Sequence, residues 1–381
     1  MRKKLSFLTL FFILILSFGA CGGPENQKSK EAETDFSSLT RTGSMELKYA
    51  TQFTVDQYGK YDLITIVDGG RFLLVPKNEE VPGSIPEDVT VLKQPLDRVY
   101  LVSTSAMDLV RAAGSISNIR LSGTKEDGWY VEEAAAAMKN GDMLYAGKYS
   151  TPDYELILGE GCDLAVENTM IYHNPEVEEK LEELGIPVLV EHSSYEEHPL
   201  GRLEWVKLYG VLFDKEDEAD AFYEEQLKKI EPILQTENTG CTAAFFYVTS
   251  NGAVNVRKPG DYIAKMIGLA GGNYILNNLP GEDENNLSTM NMQMEDFYAA
   301  AKEADVLIYN STIDGELESV DDLLQKDGLF SDFKAVQNGR VYCTGDNFFQ
   351  KTTGTSDFIK DLNQVFTEPD KEEYTYLKKL R

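Results

Sequence analysis

Apolar and polar positions fall into three regimes along the chain. Leu5 to Ala20 is an apolar run without charge behind Arg2-Lys3-Lys4. From Gly22 to about Ser44, Gly, Glu, Lys, Ser and Thr dominate, and Phe36 and Leu39 are the few large apolar residues. From Met45 onward, strand-like and helix-like patterns alternate. Tyr49–Val55, Leu63–Val67 and Arg71–Val75 read as strands, with Gly59 and Gly69-Gly70 marking turns. Val99–Val102 is apolar but too short for a helix. Ser103-Thr104-Ser105 can cap the following Ala106–Ala113, and Gly114 stops it, so the order is strand, N-cap, helix, glycine. The second half repeats the theme: Ala243–Thr249 reads as a strand, and Asp261–Leu269 as a helix closed by Gly271-Gly272.

A sharper echo links the halves. PDYELILGEGCDLAVEN, ending at Asn168, and MEDFYAAAKEADVLIYN, ending at Asn310, each place a short amphipathic helix first. An Asp follows (Asp163, Asp305), then an apolar strand. Alternating βα units predict parallel sheets covered by helices, here in two similar lobes. Between them, Leu200–Leu234 carries helical spacing, with Asp214-Lys215-Glu216-Asp217 as a break or a capped restart. The pattern fits two surface helices or one long helix joining the lobes.

Composition narrows the partners. The chain has 381 residues, 36 basic and 64 acidic, for a net charge of −28. Nucleic acid and anionic lipid, both recognised through Lys and Arg, are disfavoured. The 42% apolar content is that of a globular chain, and the length suits two domains of ~100–200 residues. No Cys pair has CxxC spacing, and Cys162, Cys241 and Cys343 read as small buried apolar residues. Cys21 differs. The apolar run before it is short for a membrane span and fits a signal peptide, and Ser17-Phe18-Gly19-Ala20-Cys21 resembles a bacterial lipobox, with Phe18 where Leu is usual. Cleavage and lipidation at Cys21 would leave the protein outside the cytoplasm, tethered by lipid through residues 21–44. Losing three positive charges would take the net charge from −28 to −31.

Enzyme signatures are sparse. There is no GxSxG elbow and no GxGxxG opening a helix after a strand. Gly141 to Gly147-Lys148-Tyr149 has five intervening residues and Tyr where a phosphate loop needs Ser or Thr. A secreted two-domain α/β hydrolase or metal-complex reductase stays as the alternative reading.

VYLVSTSAMDLVRAAG (99–114), LEELGIPVLVEHSSYEEHPLGRLEWVKLYGVLF (181–213), VRKPGDYIAKMIGLAGG (256–272) and the two echoing segments resemble the substrate-binding lipoproteins of iron-complex ABC importers. These are the class III periplasmic binding proteins, which carry ferric siderophores, haem or cobalamin. The resemblance runs from about Val89 to Phe366. It implies an α/β protein of two Rossmann-like lobes with mainly parallel sheets, joined by one long interlobe helix, with the ligand cleft between them. It implies no catalysis, no cofactor and no resident metal. Its partners would be the ligand, an ABC permease with a cytoplasmic ATPase, and a membrane reached through lipid on Cys21, the protein itself being a monomer. The family marks each lobe with a Glu that pairs with permease arginines, and Glu155 and Glu295 match those positions. Asp163 lies eight residues after the first, as in the family, whereas Asp305 lies ten after the second. The expected segments are a signal peptide (1–20), lipidated Cys and tether (21–44), an N-terminal lobe with an added β layer (45–199), the interlobe helix (200–236) and a C-terminal lobe (237–381).

Ligands of parallel α/β sheets bind beyond the strands' carboxyl ends. The groups gathered there are Tyr172, His173, His192, Tyr195, His198, Arg257, Tyr262, Asn347, Phe348 and Phe349, and Trp129, Tyr130 and Tyr145 join them as candidates on the first lobe. Flat or ringed ligands need such aromatic walls. Arg257 is either an exposed loop arginine or a guanidinium that holds a ligand carboxylate. All three histidines (173, 192, 198) lie in the first lobe, so a bare divalent ion bridging the cleft is disfavoured, while axial ligation of haem by one His or Tyr stays open.

Overall fold

The computed structural model describes residues 35–279, 289–345, 347–368, 371 and 373–381. The signal peptide, Cys21 and the tether up to residue 34 lie outside the described residues.

The added layer is a five-stranded sheet: β1 (Gly43–Ser44), β2 (Phe53–Tyr58), β3 (Tyr61–Ile66), β4 (Gly70–Val75) and β5 (Val89–Lys93), antiparallel except for β4–β5. Period-2 alternation divides its apolar residues between two faces. Ile64, Ile66, Phe72 and Leu74 join the first-lobe core, where the Phe53 ring meets Trp205 edge-on at 5.0 Å. Tyr61, Leu63, Leu73 and Val75 form an outer cluster. That cluster corrects the expected tether. Residues 35–44 lie along the layer: Phe36 and Leu39 cover the outer face, Asp35 bridges to Gly83, and β1 pairs with β2. A layer apolar on both faces needs a cover, and these two large apolar residues supply it.

The first lobe is built on β6 (Val99–Leu101), β7 (Ile119–Ser122), β8 (Leu144–Tyr145), a short ribbon β9 (Gly147–Lys148) and β10 (Thr151–Pro152), β11 (Leu164–Asn168) and β12 (Val188–Glu191). Its sheet order is β12-β11-β6-β7-β8, all parallel. Helices α1 (Thr104–Ala112), α2 (Glu132–Asn140), α3 (Tyr154–Gly159) and α4 (Pro175–Glu183) cover it. As predicted, α1 ends just before Gly114, whose φ of 72° suits glycine.

The connector is not one long helix. It is α5 (Pro199–Glu204), α6 (Val206–Phe213) and α7 (Glu216–Leu234). Asp214 caps α6 at φ 58°, in the left-handed region that Asp tolerates, so the acidic run is a break and restart. Within it, α5 places Leu200 in the second core and Leu203 in the first, and α7 is the long helix that passes from lobe to lobe. Ala219 and Tyr223 sit in the first core, Ile230 sits in the second, and 19 residues give it a length of about 28 Å.

The second sheet has the order β16-β14-β13-β17-β18-β19, with β15 also paired to β13. Its strands are β13 (Thr242–Val248), β14 (Val254–Arg257), β15 (Asn273–Tyr274), β16 (Thr289–Met292), β17 (Val306–Tyr309), β18 (Val341–Thr344) and β19 (Leu377–Lys379). The central β13, β17 and β18 are parallel. Helices α8 (Tyr262–Leu269), α9 (Met294–Ala301), α10 (Val320–Lys326), α11 (Lys334–Gln337) and α12 (Thr355–Thr367) complete the lobe.

The sequence echo has a structural meaning. Asp163 accepts from the amides of Asp97 and Arg98 at the start of β6, each at 3.1 Å. Asp305 accepts from the amide and hydroxyl of Thr242 at the start of β13, each at 2.9 Å. In each lobe an aspartate after the helix ties one central strand to the beginning of its parallel neighbour.

Candidate functional site

Beyond the carboxyl ends of both parallel sheets the surface is unusually apolar. Tyr130 follows β7, Tyr145 ends β8, Met170 and Tyr172 follow β11, and Tyr195 follows β12. From the second lobe, Ile313 follows β17 and Phe349 follows β18. All seven are exposed. Tyr130 and Phe349, from opposite lobes, meet edge-on at 6.1 Å.

The floor is a direct contact between lobes. The segment after β18 reaches α1 and the β7 loop. Buried Asp108 accepts from the Thr353 amide (2.9 Å) and hydroxyl (2.6 Å), and Arg111 pairs with the same carboxylate at 2.8 Å. The Thr352 hydroxyl donates to Ser105 O at 3.1 Å. Gln350 accepts from the Tyr130 amide (2.9 Å) and donates to Gly128 O (2.8 Å). Asp108, Thr353 and Gln350 escaped sequence reasoning, because a buried polar pair between residues 245 apart leaves no local pattern.

On the second-lobe wall one ring, Tyr262, meets two guanidiniums, Arg257 from that lobe and Arg202 from the connector. Arg257 lies 5.6 Å from Tyr262 and from Phe245, and pairs with Asp261 at 3.5 Å; Arg202 of α5 stacks on Tyr262 at 3.9 Å. Asp261 also caps α8 through the Ile263 amide, which fixes where Tyr262 starts its helix. A cavity of about 230 Å³ opens there, lined among others by Arg257, Tyr262, Asn310, Phe348 and Phe349. Arg257 is therefore a half-buried cleft residue and not a free loop arginine. Arg202 was not singled out from the sequence; its only signal is its place just after the His198-Pro199-Leu200-Gly201 turn.

Three expectations need correction. Trp129 is buried, and its indole N–H donates to Ser122 Oγ at 3.1 Å, so it props the β7 loop. Phe348 is largely buried and packs on Phe358 at 4.5 Å, so it lines the cavity from the core side of the lobe and does not stand out as an exposed ring. His192 is 1% exposed, and both its ring nitrogens are engaged. Nδ1 meets the Val67 carbonyl at 2.9 Å, and since a carbonyl only accepts, Nδ1 carries the proton. Nε2 therefore accepts from the Tyr172 hydroxyl at 2.6 Å. Burial lowers the His192 pKa and favours this neutral form. His192 would have to give up its bond to Tyr172, and come out of burial, before Nε2 could serve as an axial haem ligand. His173 and Tyr195 remain exposed, Asn347 is half-buried beside Phe348, and His198 stacks under Tyr49 at 4.4 Å.

Beneath the floor, Glu191 is fully buried. Burial pushes its carboxyl up, opposed by hydrogen bonding to Ser193, by the nearby Arg202 charge and by Ser103. Glu155 and Glu295 sit at matching places: each is the second residue of a helix, α3 or α9, that leads into a parallel strand, and both are exposed. Such helices run back against their strands, so both carboxylates lie toward the cleft-side edge of their lobes. Among the described residues, no cluster of three or more His, Cys, Asp or Glu is arranged to hold a metal ion, and no helix is long and apolar enough to cross a membrane.

Comparison with known proteins agrees with this architecture. Residues 118–348, more than half the chain, match the family described as periplasmic binding protein. The chain is 27% identical over 320 residues to an uncharacterised lipoprotein of Methanocaldococcus jannaschii, covering 80% of this chain and 74% of that one. Among solved structures it resembles the periplasmic haem-binding protein HutB of Vibrio cholerae (TM-score 0.58, 14% identity, 72% of this chain and 99% of that one). It also resembles the catecholate-siderophore binding protein VctP of the same organism (TM-score 0.55, 15% identity, 71% and 94%). At these identities the structural likenesses establish the fold alone.

Proposed function

The chain belongs to the periplasmic binding protein family, and from that premise we propose that it is a lipid-anchored receptor that captures an iron complex, either a ferric siderophore or haem, or a corrinoid, and delivers it to an ABC permease. This is a family of solute-binding proteins and not of enzymes, so the hydrolase or reductase reading is set aside. The observation that carries the ligand class is the pairing of exposed rings from both lobes with a two-arginine wall. Rings offer faces to a flat or ringed ligand, and guanidiniums offer forked donors to its carboxylates or other oxyanions. In a chain of net charge −28, such local cations are what an anionic complex needs.

Glu155 and Glu295 are the residues we propose for permease docking. Their equivalent placement at the cleft-side edge of the two lobes supports this, because a partner seated over the cleft would meet one from each side. Cys21 is proposed as the lipid attachment, on its sequence context.

The test is a thermal-shift and intrinsic-fluorescence screen of the purified protein against haemin, ferric citrate, ferric catecholates, ferric hydroxamates, cobalamin and cobinamide. A ligand of the native state raises apparent stability by about 3 kcal/mol at a hundredfold excess over Kd. One clear stabiliser names the class; no shift with any of them refutes it.

A further inference from the structure

The added β layer lies outside the family match at 118–348, yet its β3–β4 turn meets His192, which holds the exposed Tyr172 after β11. We propose that this turn, Val67–Gly69, is a third wall of the ligand cleft, and that Asp68 selects against negative charge at the first-lobe rim. The proposal rests on the cleft reading above and adds a selectivity element to it.

The turn is pinned there. His192 Nδ1 donates to the Val67 carbonyl, and His192 Nε2 holds the Tyr172 hydroxyl. The turn thus reaches Tyr172 through one buried imidazole, and His192 acts as a positioning residue. With its hydroxyl turned inward, Tyr172 offers ring and not oxygen to the cleft. The backbone is fitted to this approach. Gly69 has room for no side chain, since a Cβ would stand 2.6 Å from Ile66 Cγ2 and 3.3 Å from His192 Cε1. Asp68 holds φ 54°, a left-handed conformation that Asp and Asn tolerate.

What the turn presents is specific. Val67 is 41% exposed although apolar, and its carbonyl meets His192, whose ring lies 5.8 Å from Tyr172 and 5.0 Å from Tyr195. Asp68 is exposed and near enough for its charge to act on both Tyr172 and His192. The cleft is then polarised, with Arg202 of the connector and Arg257 of the second lobe around Tyr262, and Asp68 on the first-lobe rim. A ligand with its anionic groups gathered at one end fits. A ligand ringed by negative charge meets Asp68 wherever it turns.

Two measurements on the full chain in detergent test this. The first compares Kd for a strongly anionic ferric triscatecholate and an uncharged ferric trihydroxamate. Asp68→Asn keeps the shape and suits the left-handed backbone, and it should improve the triscatecholate about tenfold relative to the trihydroxamate. An unchanged ratio overturns the role of Asp68. The second needs no ligand. In 15N-histidine spectra, His192 should report the Nδ1–H tautomer in wild type and lose that signature in Gly69→Val, where the turn is forced away. An unaltered tautomer in a folded Gly69→Val overturns the wall. If wild type holds neither complex, the siderophore branch of the reading above is what fails, and the tautomer still decides whether the layer sets the rim.

Discussion

Glutamine in place of Glu167 separates the cost of a buried charge from the cost of a buried shape. Glu167 lies on β11, is fully buried, and neither carboxylate oxygen has a hydrogen-bond partner among the described residues. Burial, reinforced by the charge of Glu178, pushes its carboxyl from 4.5 up to about 8. The folded protein therefore keeps a proton that the unfolded chain gives up, so stability falls as pH rises from about 4.5 to about 8. At about 1.4 kcal/mol per tenfold, the full penalty approaches about 5 kcal/mol above that range. At pH 7 linkage leaves about 3 kcal/mol of it. Glu167→Gln keeps the size and removes the ionisation. The variant should match wild type near pH 4 and exceed it at pH 7 by about 3 kcal/mol, a Tm gain of roughly 6–12 °C for lobes of this size. The assay is thermal unfolding from pH 4 to pH 9 for both proteins. Parallel Tm profiles would refute the reasoning, because they would mean that Glu167 ionises in the fold as freely as in water.

Three other outcomes follow from the same structure. Asp108→Ala leaves Arg111 without its closest carboxylate and removes the acceptor of Thr353, so unfolding free energy should drop by about 3 kcal/mol; a loss below about 0.5 kcal/mol in urea titration would show that the floor is not a structural latch. Glu155→Ala with Glu295→Ala should leave ligand Kd within about twofold of wild type and abolish uptake through the permease; full uptake by the double variant contradicts the docking assignment. Cys21→Ser should move the protein from the detergent phase to the aqueous phase in a partition assay, and retention with membranes would exclude lipid at that residue.

Some of this architecture is written locally. Apolar runs and stop glycines predict α1 and α8 to within a residue or two; at α8 the Asp261 cap satisfies an amide of its own helix, whereas Ser103 before α1 makes no capping bond. The echo of Asp163 and Asp305 is visible before its purpose is. The apolar run at 99–102 and its partners read as buried parallel strands, and so predict where a cleft must open. Gathering aromatics on the loops after those strands requires only chain order, and Tyr130, Tyr145, Tyr172 and Tyr195 are indeed exposed there.

Other features exist only once the chain is folded. Whether a ring after a strand becomes wall or core depends on what lies beneath it. Trp129 is core because Ser122 takes its N–H, and His192 is buried because a turn 125 residues earlier in the chain supplies a carbonyl. Arg202 and Tyr262 meet at 3.9 Å across the cleft floor, with no shared motif. Residues 35–44 have the composition of a tether and still lie on the protein, because the β layer presents an apolar face that Phe36 and Leu39 cover. Secondary structure follows from bonds between near neighbours, so the sequence alone determined lobes, strands and caps. Burial and charge pairing depend on groups far apart in the chain, so only the tertiary structure decided which candidates are exposed at the cleft and which are core.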